Sequence, residues 1–346
     1  MKNLVRIKKP RAVWQAASAV AVAAALAGAA GIAAGPASAA PRVKNPKIKH
    51  GVLTIKGTKA SDKIALRLQA GNPGNLQVDV GDDGSADFNF ERAKVATIVI
   101  DARAGDDVVR IDESNGVFTD TIPTTIDGGD GNDTIAGGSG AETLLGGAGN
   151  DSIDGNKGAD VGQLGPGDDT FVWDQGDGSD IVEGQAGSDT LRFNGAAIDE
   201  HVTLSANGNR LKFFRVEGNI TMDTDAVEQV DFNAVGGADV VTVNNLTGTD
   251  VTGVKVDLAG TFGGAAGDGK ADIIVVNATD GVDAIDVSGD AQIVKVSGLT
   301  PTIKVLNSEV ANDRLEINTL AGTDTVNTIG LAAGAIQLFV DGTLVP

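Results

Sequence analysis

The chain has no cysteine, no tyrosine, two histidines and two methionines, and only 3% of its 346 residues are aromatic. Without cysteine, disulfides and thiolate metal sites are excluded, so a chain exported from the cytoplasm needs another clamp. His50 and His201 stand alone; there is no H-E-x-x-H zinc motif and no G-x-S-x-G elbow, so neither a zinc protease nor a Ser-His-Asp hydrolase is recognisable. So few rings leave thin cores of Val, Ile and Leu, as in stacked β rungs, and few platforms for a sugar-cleaving cleft. Positive charge is short as well. The formal net charge is −20, and five of the 27 basic residues (Lys2, Arg6, Lys8, Lys9, Arg11) precede residue 40, leaving 22 against 47 acids. Phosphate contacts need clustered Lys and Arg, so nucleic acid is not the expected partner; multivalent cations are.

What is present begins with a basic start, an apolar run from Ala16 to Ala34, and Ala37-Ser38-Ala39 in an A-x-A arrangement. This reads as a secretory signal peptide over residues 1–39, cleaved after Ala39, rather than a retained anchor. There is no second apolar run, so no membrane span is expected in the mature chain, and the expected location is extracellular.

Residues 40–127 read as short strands. Val52–Lys56, Lys63–Leu68, Leu76–Val80 and Thr97–Asp101 alternate apolar and polar residues, with Asn72-Pro-Gly-Asn and Gly81-Asp-Asp-Gly as turns. The second turn lacks EF-hand spacing and reads as a polar hairpin rather than a calcium loop. A recurrent feature is an Asp with apolar residues two and four positions later, as at Asp62 and Asp107. Each marks a turn feeding a strand whose alternate side chains point inward. These residues are expected to stack as leading rungs on the block that begins at Gly128.

Residues 128–192 repeat every nine residues. Gly128-Gly-Asp-Gly-Asn-Asp-Thr-Ile-Ala is followed by units beginning at Gly137, Gly146, Gly155 and Leu164; Trp173 and Asp174 are inserted; units then begin at Gln175 and Gly184. Seven units hold one register apart from that slip. They resemble the RTX (haemolysin-type) calcium-binding repeat, G-G-x-G-x-D-x-U-x. The resemblance implies an all-β fold, a parallel β-roll or β-helix solenoid with these turns in its middle, binding several Ca²⁺ ions. Two units would complete one coil. Residues 18 apart would then share an edge, with Asp133, Asp151, Asp169 and Asp189 on one and Glu142, Asp160 and Asp180 on the other. Gly129, Gly131, Gly138, Gly147 and Gly149 would curl the turns so that carbonyl oxygens join the carboxylates around a hard cation. Ile135, Leu144, Ile153, Phe171, Val182 and Leu191 would form the core. Departures fall at Glu142, with one methylene more than Asp; at Gly162, where a core side chain belongs and Val161 or Leu164 is expected to fill in; and at Asn156, Leu164 and Gln175, which break the glycine doublet.

Residues 193–346 continue as further solenoid repeats. Asp239 and Asp250, Asp272 and Asp283, and Asp313 and Asp324 are each 11 apart, with Asn244, Asn277 and Asn318 six residues before the second Asp. Matching Asn corners are expected to stack as a hydrogen-bonded ladder. Arg210, Lys212 and Arg215 read as one solvated strand face.

The functional expectation is a secreted, non-catalytic calcium-binding solenoid that folds with its metal and serves a surface, matrix or adhesive role toward a polysaccharide or protein partner. The alternative is a β-helical carbohydrate-active enzyme, such as a polysaccharide lyase or epimerase, with structural calcium.

Overall fold

Every second side chain is buried along strand after strand, and this period of two builds the molecule. Thr97–Asp101, Val108–Asp112, Thr190–Asn194 and Arg314–Asn318 all alternate inward and outward residues. The computed structural model describes residues 43–346; the expected signal segment lies outside them. The strands form two sheets, of 15 and 14 strands, paired mainly in parallel. The chain crosses from one sheet to the other at each turn. Thr143–Ala148 pairs with Thr124–Asp130 and Val161–Pro166, whereas Ser152–Asp154 pairs with Thr134–Ala136 and Thr170–Trp173 in the facing sheet. The result is the all-β, parallel β-roll expected from the nonapeptides. The only helical element among the described residues is the 3-10 turn Arg92–Lys94, and no helix is long and apolar enough to cross a membrane.

The stacking is not confined to the nonapeptides. Thr97–Asp101 pairs in register with Thr124–Asp130, and Val108–Asp112 with Thr134–Ala136. Downstream, Thr190–Asn194 pairs with Gln229–Asn233, and Val240–Val243 with Ile273–Asn277. Antiparallel pairs close the sheets at their edges, and within the stack two antiparallel excursions break the alternation. Residues 201–225 add two extra strands to the first sheet, and residues 284–306 add two to the second.

One continuous apolar core runs between the sheets. Trp173, the inserted residue, stacks on Phe193 with ring centroids 3.9 Å apart, and its indole N–H donates to the Gly178 carbonyl at 2.8 Å. The gap at Gly162 is filled only in part as expected. Val161 is only half-buried; Leu164 is buried and reaches within 3.8 Å of where a Gly162 Cβ would sit, but the Phe171 ring from the facing sheet comes closer, at 2.7 Å. Gly162→Val is therefore expected to overpack the core and cost about 1–3 kcal/mol, seen as a lower denaturation midpoint in calcium. A variant as stable as the parent would show that Phe171 can move aside.

Three local expectations are corrected. The first hairpin turns at Ala70-Gly71, where Gly71 takes φ +74, and Asn72-Pro-Gly-Asn already belongs to the returning strand Asn72–Val80. Arg210, Lys212 and Arg215 do not share a face: five residues along a strand reverses the side, so Arg215 is buried while Lys212 is exposed. Lys63–Gln69 does not simply alternate, because Arg67 is buried in an ion pair with Asp79 (2.8 Å). In the Gly81–Gly84 loop, Asp79 accepts the Asp83 and Gly84 N–H groups and Asp82 takes a two-bonded Arg110, so these acids are engaged by protein donors. The asparagine corners do stack, with Asn318 Nδ2 donating to Asn277 Oδ1 (2.8 Å) and Asn277 Nδ2 to Asn244 Oδ1 (2.9 Å).

Candidate metal centre

The turns repeat one construction. In residues 128–133 the chain leaves one sheet, reverses through Gly129 (φ +102) and Gly131 (φ +130), and enters the other at Asp133. Gly147 and Gly149 repeat it at φ +107 and +134, and Gly165 and Gly167 again at +112 and +149. Here glycine answers two demands. The backbone is left-handed, and each of these α-carbons also lies against a carbonyl of the coil before it: a Cβ on Gly147 would collide with the Gly129 carbonyl, one on Gly149 with that of Gly131. On the other edge Asn156 holds the left-handed position at φ +59, as a short amide side chain can, followed by Gly158 at +139. Gly138 is an exception: it is not left-handed, and its turn is fixed instead by Thr119 Oγ1, which accepts the N–H groups of Ser139 and Gly140.

The sixth residue of each unit joins a ladder. The Asp133 N–H donates to Asp151 Oδ1 (2.7 Å), the Asp151 N–H to Asp169 Oδ1 (2.6 Å) and the Asp169 N–H to Asp189 Oδ1 (2.9 Å). Along the opposite edge the Glu142 N–H donates to Asp160 Oδ1 (2.7 Å) and the Asp160 N–H to Asp180 Oδ1 (2.9 Å). Glu142 spends its extra methylene reaching the Gly138 N–H with Oε2 (2.9 Å). All seven carboxylates are buried.

In six of the seven residues one carboxylate oxygen is bonded and the other is stranded. Oδ2 of Asp133, Asp151, Asp160, Asp169 and Asp189, and Oε1 of Glu142, are enclosed without a hydrogen-bond donor. A buried carboxylate oxygen without a partner is costly, and rows of them repel one another. Burial, partly offset by the accepted backbone N–H and reinforced by neighbouring acids, pushes Asp133 up to about 6, Asp151, Asp180 and Asp189 up to about 7, and Asp160 up to about 9. At neutral pH these groups call for a proton or a cation.

The corners suit a hard divalent ion. A Cβ on Gly128 would be wedged between Asp133 Oδ2 and the Gly146 carbonyl of the next coil, and one on Gly146 between Asp151 Oδ2 and the Leu164 carbonyl. Only a bare α-carbon keeps this oxygen-lined space open. No three acidic or histidine side chains converge on one point among the described residues. An ion here would thus draw on one carboxylate per turn and on peptide carbonyls, an all-oxygen set that fits Ca²⁺ and not thiophilic metals. His50 lies exposed in a turn and His201 hydrogen-bonds Glu217, so neither belongs to the ladders.

The ladders also run past the nonapeptides, which the sequence pattern had shown only as strand-leading acids. The Asp62 N–H donates to Asp107 Oδ1 and the Asp107 N–H to Asp133 Oδ1 (2.6 and 2.7 Å). The Glu200, Asp239 and Asp272 N–H groups donate in turn to Asp239, Asp272 and Asp313. Oδ2 of Asp107 and of Asp239 is again buried without a donor, and burial raises these groups to about 7 and about 8. The available signal was a degenerate unit: Ala102-Arg-Ala-Gly-Asp-Asp and Ala234-Val-Gly-Gly-Ala-Asp keep Gly at the fourth place, and Arg103 and Val235 take left-handed φ at the second (+87 and +65). At Glu200 the protein supplies the positive charge, because the buried Arg215 guanidinium donates to its carboxylate.

Compared with known families, the chain matches the model of the RTX calcium-binding nonapeptide repeat, in four copies, over residues 125–141, 136–171 and 175–194. No curated protein matches it.

Proposed function

We propose that this chain, which carries RTX-type calcium-binding repeats over residues 125–171 and 175–194, is a secreted, non-catalytic solenoid whose fold is completed by several calcium ions outside the cell, where it serves a surface, matrix or adhesive role. The observation that carries the reading is the row of buried carboxylates, most of them with one oxygen bonded to a backbone N–H and the other left without a donor. Such a row is a poor general acid or base array, because every member is locked between coils, away from a substrate. It is a good cation array, and calcium is abundant where a signal-bearing chain would be delivered. Asp107 and Asp239 extend the array, giving sites one coil before the matched repeats and again beyond them.

Calcium titration of the intact chain by calorimetry tests this. Asp151→Asn keeps an oxygen for the Asp133 N–H but removes the charge between two coils. It is expected to weaken calcium binding about tenfold or more, since site charge sets affinity in such oxygen cages. Asp120→Asn, at an exposed turn outside the ladders, is expected to change nothing. Equal effects from the two would reduce the ladders to bulk electrostatics. Incubation with acidic polysaccharides addresses the catalytic alternative: release of unsaturated ends would replace the non-catalytic reading with a lyase.

A further inference from the structure

The outer face of the second sheet carries a basic row that the calcium chemistry leaves unused. Lys255 on Gly253–Asp257 lies directly opposite Lys304 on Thr302–Leu306, and Lys304 lies opposite Lys295 on Ile293–Ser297. All three side chains point outward, since their neighbours along each strand are buried. Lys255 is held by Asp231 at 2.5 Å, but Lys295 and Lys304 have no ion pair among the described residues. Like charges placed directly opposite one another across a sheet destabilise it. In a chain with more acids than bases, three lysines side by side with one counter-charge are therefore an exception that packing does not account for.

The lysines border a groove of about 330 Å³ whose other walls are Gln229, Asp231, Thr252, Gly253, Val254 and Thr302. Strands lie about 4.8 Å apart, so the ammonium groups present a straight run of positive charge flanked by hydroxyl and amide groups. Screening confines the repulsion from distant acids to roughly 8 Å at physiological salt, which leaves the groove locally cationic.

We propose that this groove binds a linear acidic polysaccharide, its carboxylates meeting the lysine row and its hydroxyls the Thr and Gln side chains. The geometry favours sugar over nucleic acid. No aromatic ring lines the groove to stack bases. The groove faces away from the core and draws on none of the ladder residues, so the proposal stands apart from the calcium reading.

Binding of the full chain to immobilised polygalacturonate, in 1 mM calcium so that the fold is complete, is the test. The double variant Lys295→Thr with Lys304→Thr is compared with Lys47→Thr with Lys49→Thr, two exposed lysines on the first strand. Two exposed charge contacts correspond to about a tenfold change in affinity. The groove variant is expected to lose that factor and to melt no lower than the parent, because a like-charge pair is removed, while the control pair binds as the parent does. Neutral dextran is expected not to bind. Three results would overturn the proposal: no binding by the parent, equal losses in the two double variants (calcium bridging to the acidic surface), or single-stranded DNA bound as tightly as the polysaccharide.

Discussion

Stripping calcium with a chelator is expected to abolish much of the β-type circular dichroism of the full chain, and adding calcium back on the order of 0.1–1 mM is expected to restore it. The repeat coils have little else to hold them. Their strands are as short as three residues, Thr134–Ala136 and Ser152–Asp154 for example, and each turn orders several glycines. Fixing a residue's backbone costs about 1–2 kcal/mol, most for glycine, and a three-residue strand buries one apolar side chain in return. Neutralising the enclosed carboxylates removes a further unfavourable contribution, their mutual repulsion and unpaired burial. Trp173 reports the transition locally: its ring is buried against Phe193, and the only other tryptophan is Trp14. Its emission should shift to the red under chelator, while limited proteolysis should open residues 128–194 first. An unchanged spectrum in chelator would mean that the solenoid stands without metal.

The second large effect is a reversal of pH dependence when calcium is absent. Carboxylates raised to about 6–9 in the fold but ionising near 4 when unfolded bind more protons in the folded state between those values. Folding therefore takes up protons, and stability falls as pH rises through that window. The calcium-free chain is expected to be most folded near pH 4–5 and least folded near pH 8, the opposite of a protein held by salt bridges. A few acids oppose the trend. Asp82 is lowered by its hydrogen bonds to Arg110, while burial of Glu113 is outweighed by the Ser139 and backbone donors that lower it; both lose their contribution only toward the acid end. With calcium present the dependence turns over, because protons compete with the metal for the same oxygens, and the calcium midpoint should rise as pH falls. Thermal melts of metal-stripped protein at pH 4.5, 6 and 7.5 decide it; a melting temperature that climbs with pH would remove the enclosed carboxylates as the controlling groups.

The nonapeptide turns were legible because their chemistry is local. Glycine at the second and fourth places, Asp at the sixth and an apolar residue at the eighth each answer a constraint set within one coil or by the coil 18 residues away. Where spacing departs from 18, legibility failed in proportion. Asp239, Asp272 and Asp313 stood out as a pattern spaced 33 and 41 apart, yet their shared ladder was hidden because long connections stretch the first step and inserted strands the second. The role of Arg215 was missed for another reason: a guanidinium standing where other coils would need a cation leaves no periodic mark. The lysine row was invisible as well, since Lys255, Lys295 and Lys304 come together only through the hairpin that folds residues 284–306 back on themselves.

The two antiparallel excursions bear on more than spacing. The first adds two strands to one sheet at residues 201–225, so beyond it the facing sheets are out of step by two strands, about 10 Å. The chain must cross that offset obliquely, which is why its connections lengthen over residues 244–252 and 258–272, compared with the few residues that suffice in the repeats. The second excursion adds two strands to the other sheet and cancels the offset, so that Arg314–Asn318 and Thr325–Asn327 again face each other in step. In the language of crystals, the first is a dislocation and the second its partner of opposite sign. Removing either alone would leave every later coil offset by two strands, so the excursions at 201–225 and 284–306 act as one compensating pair despite their separation along the chain.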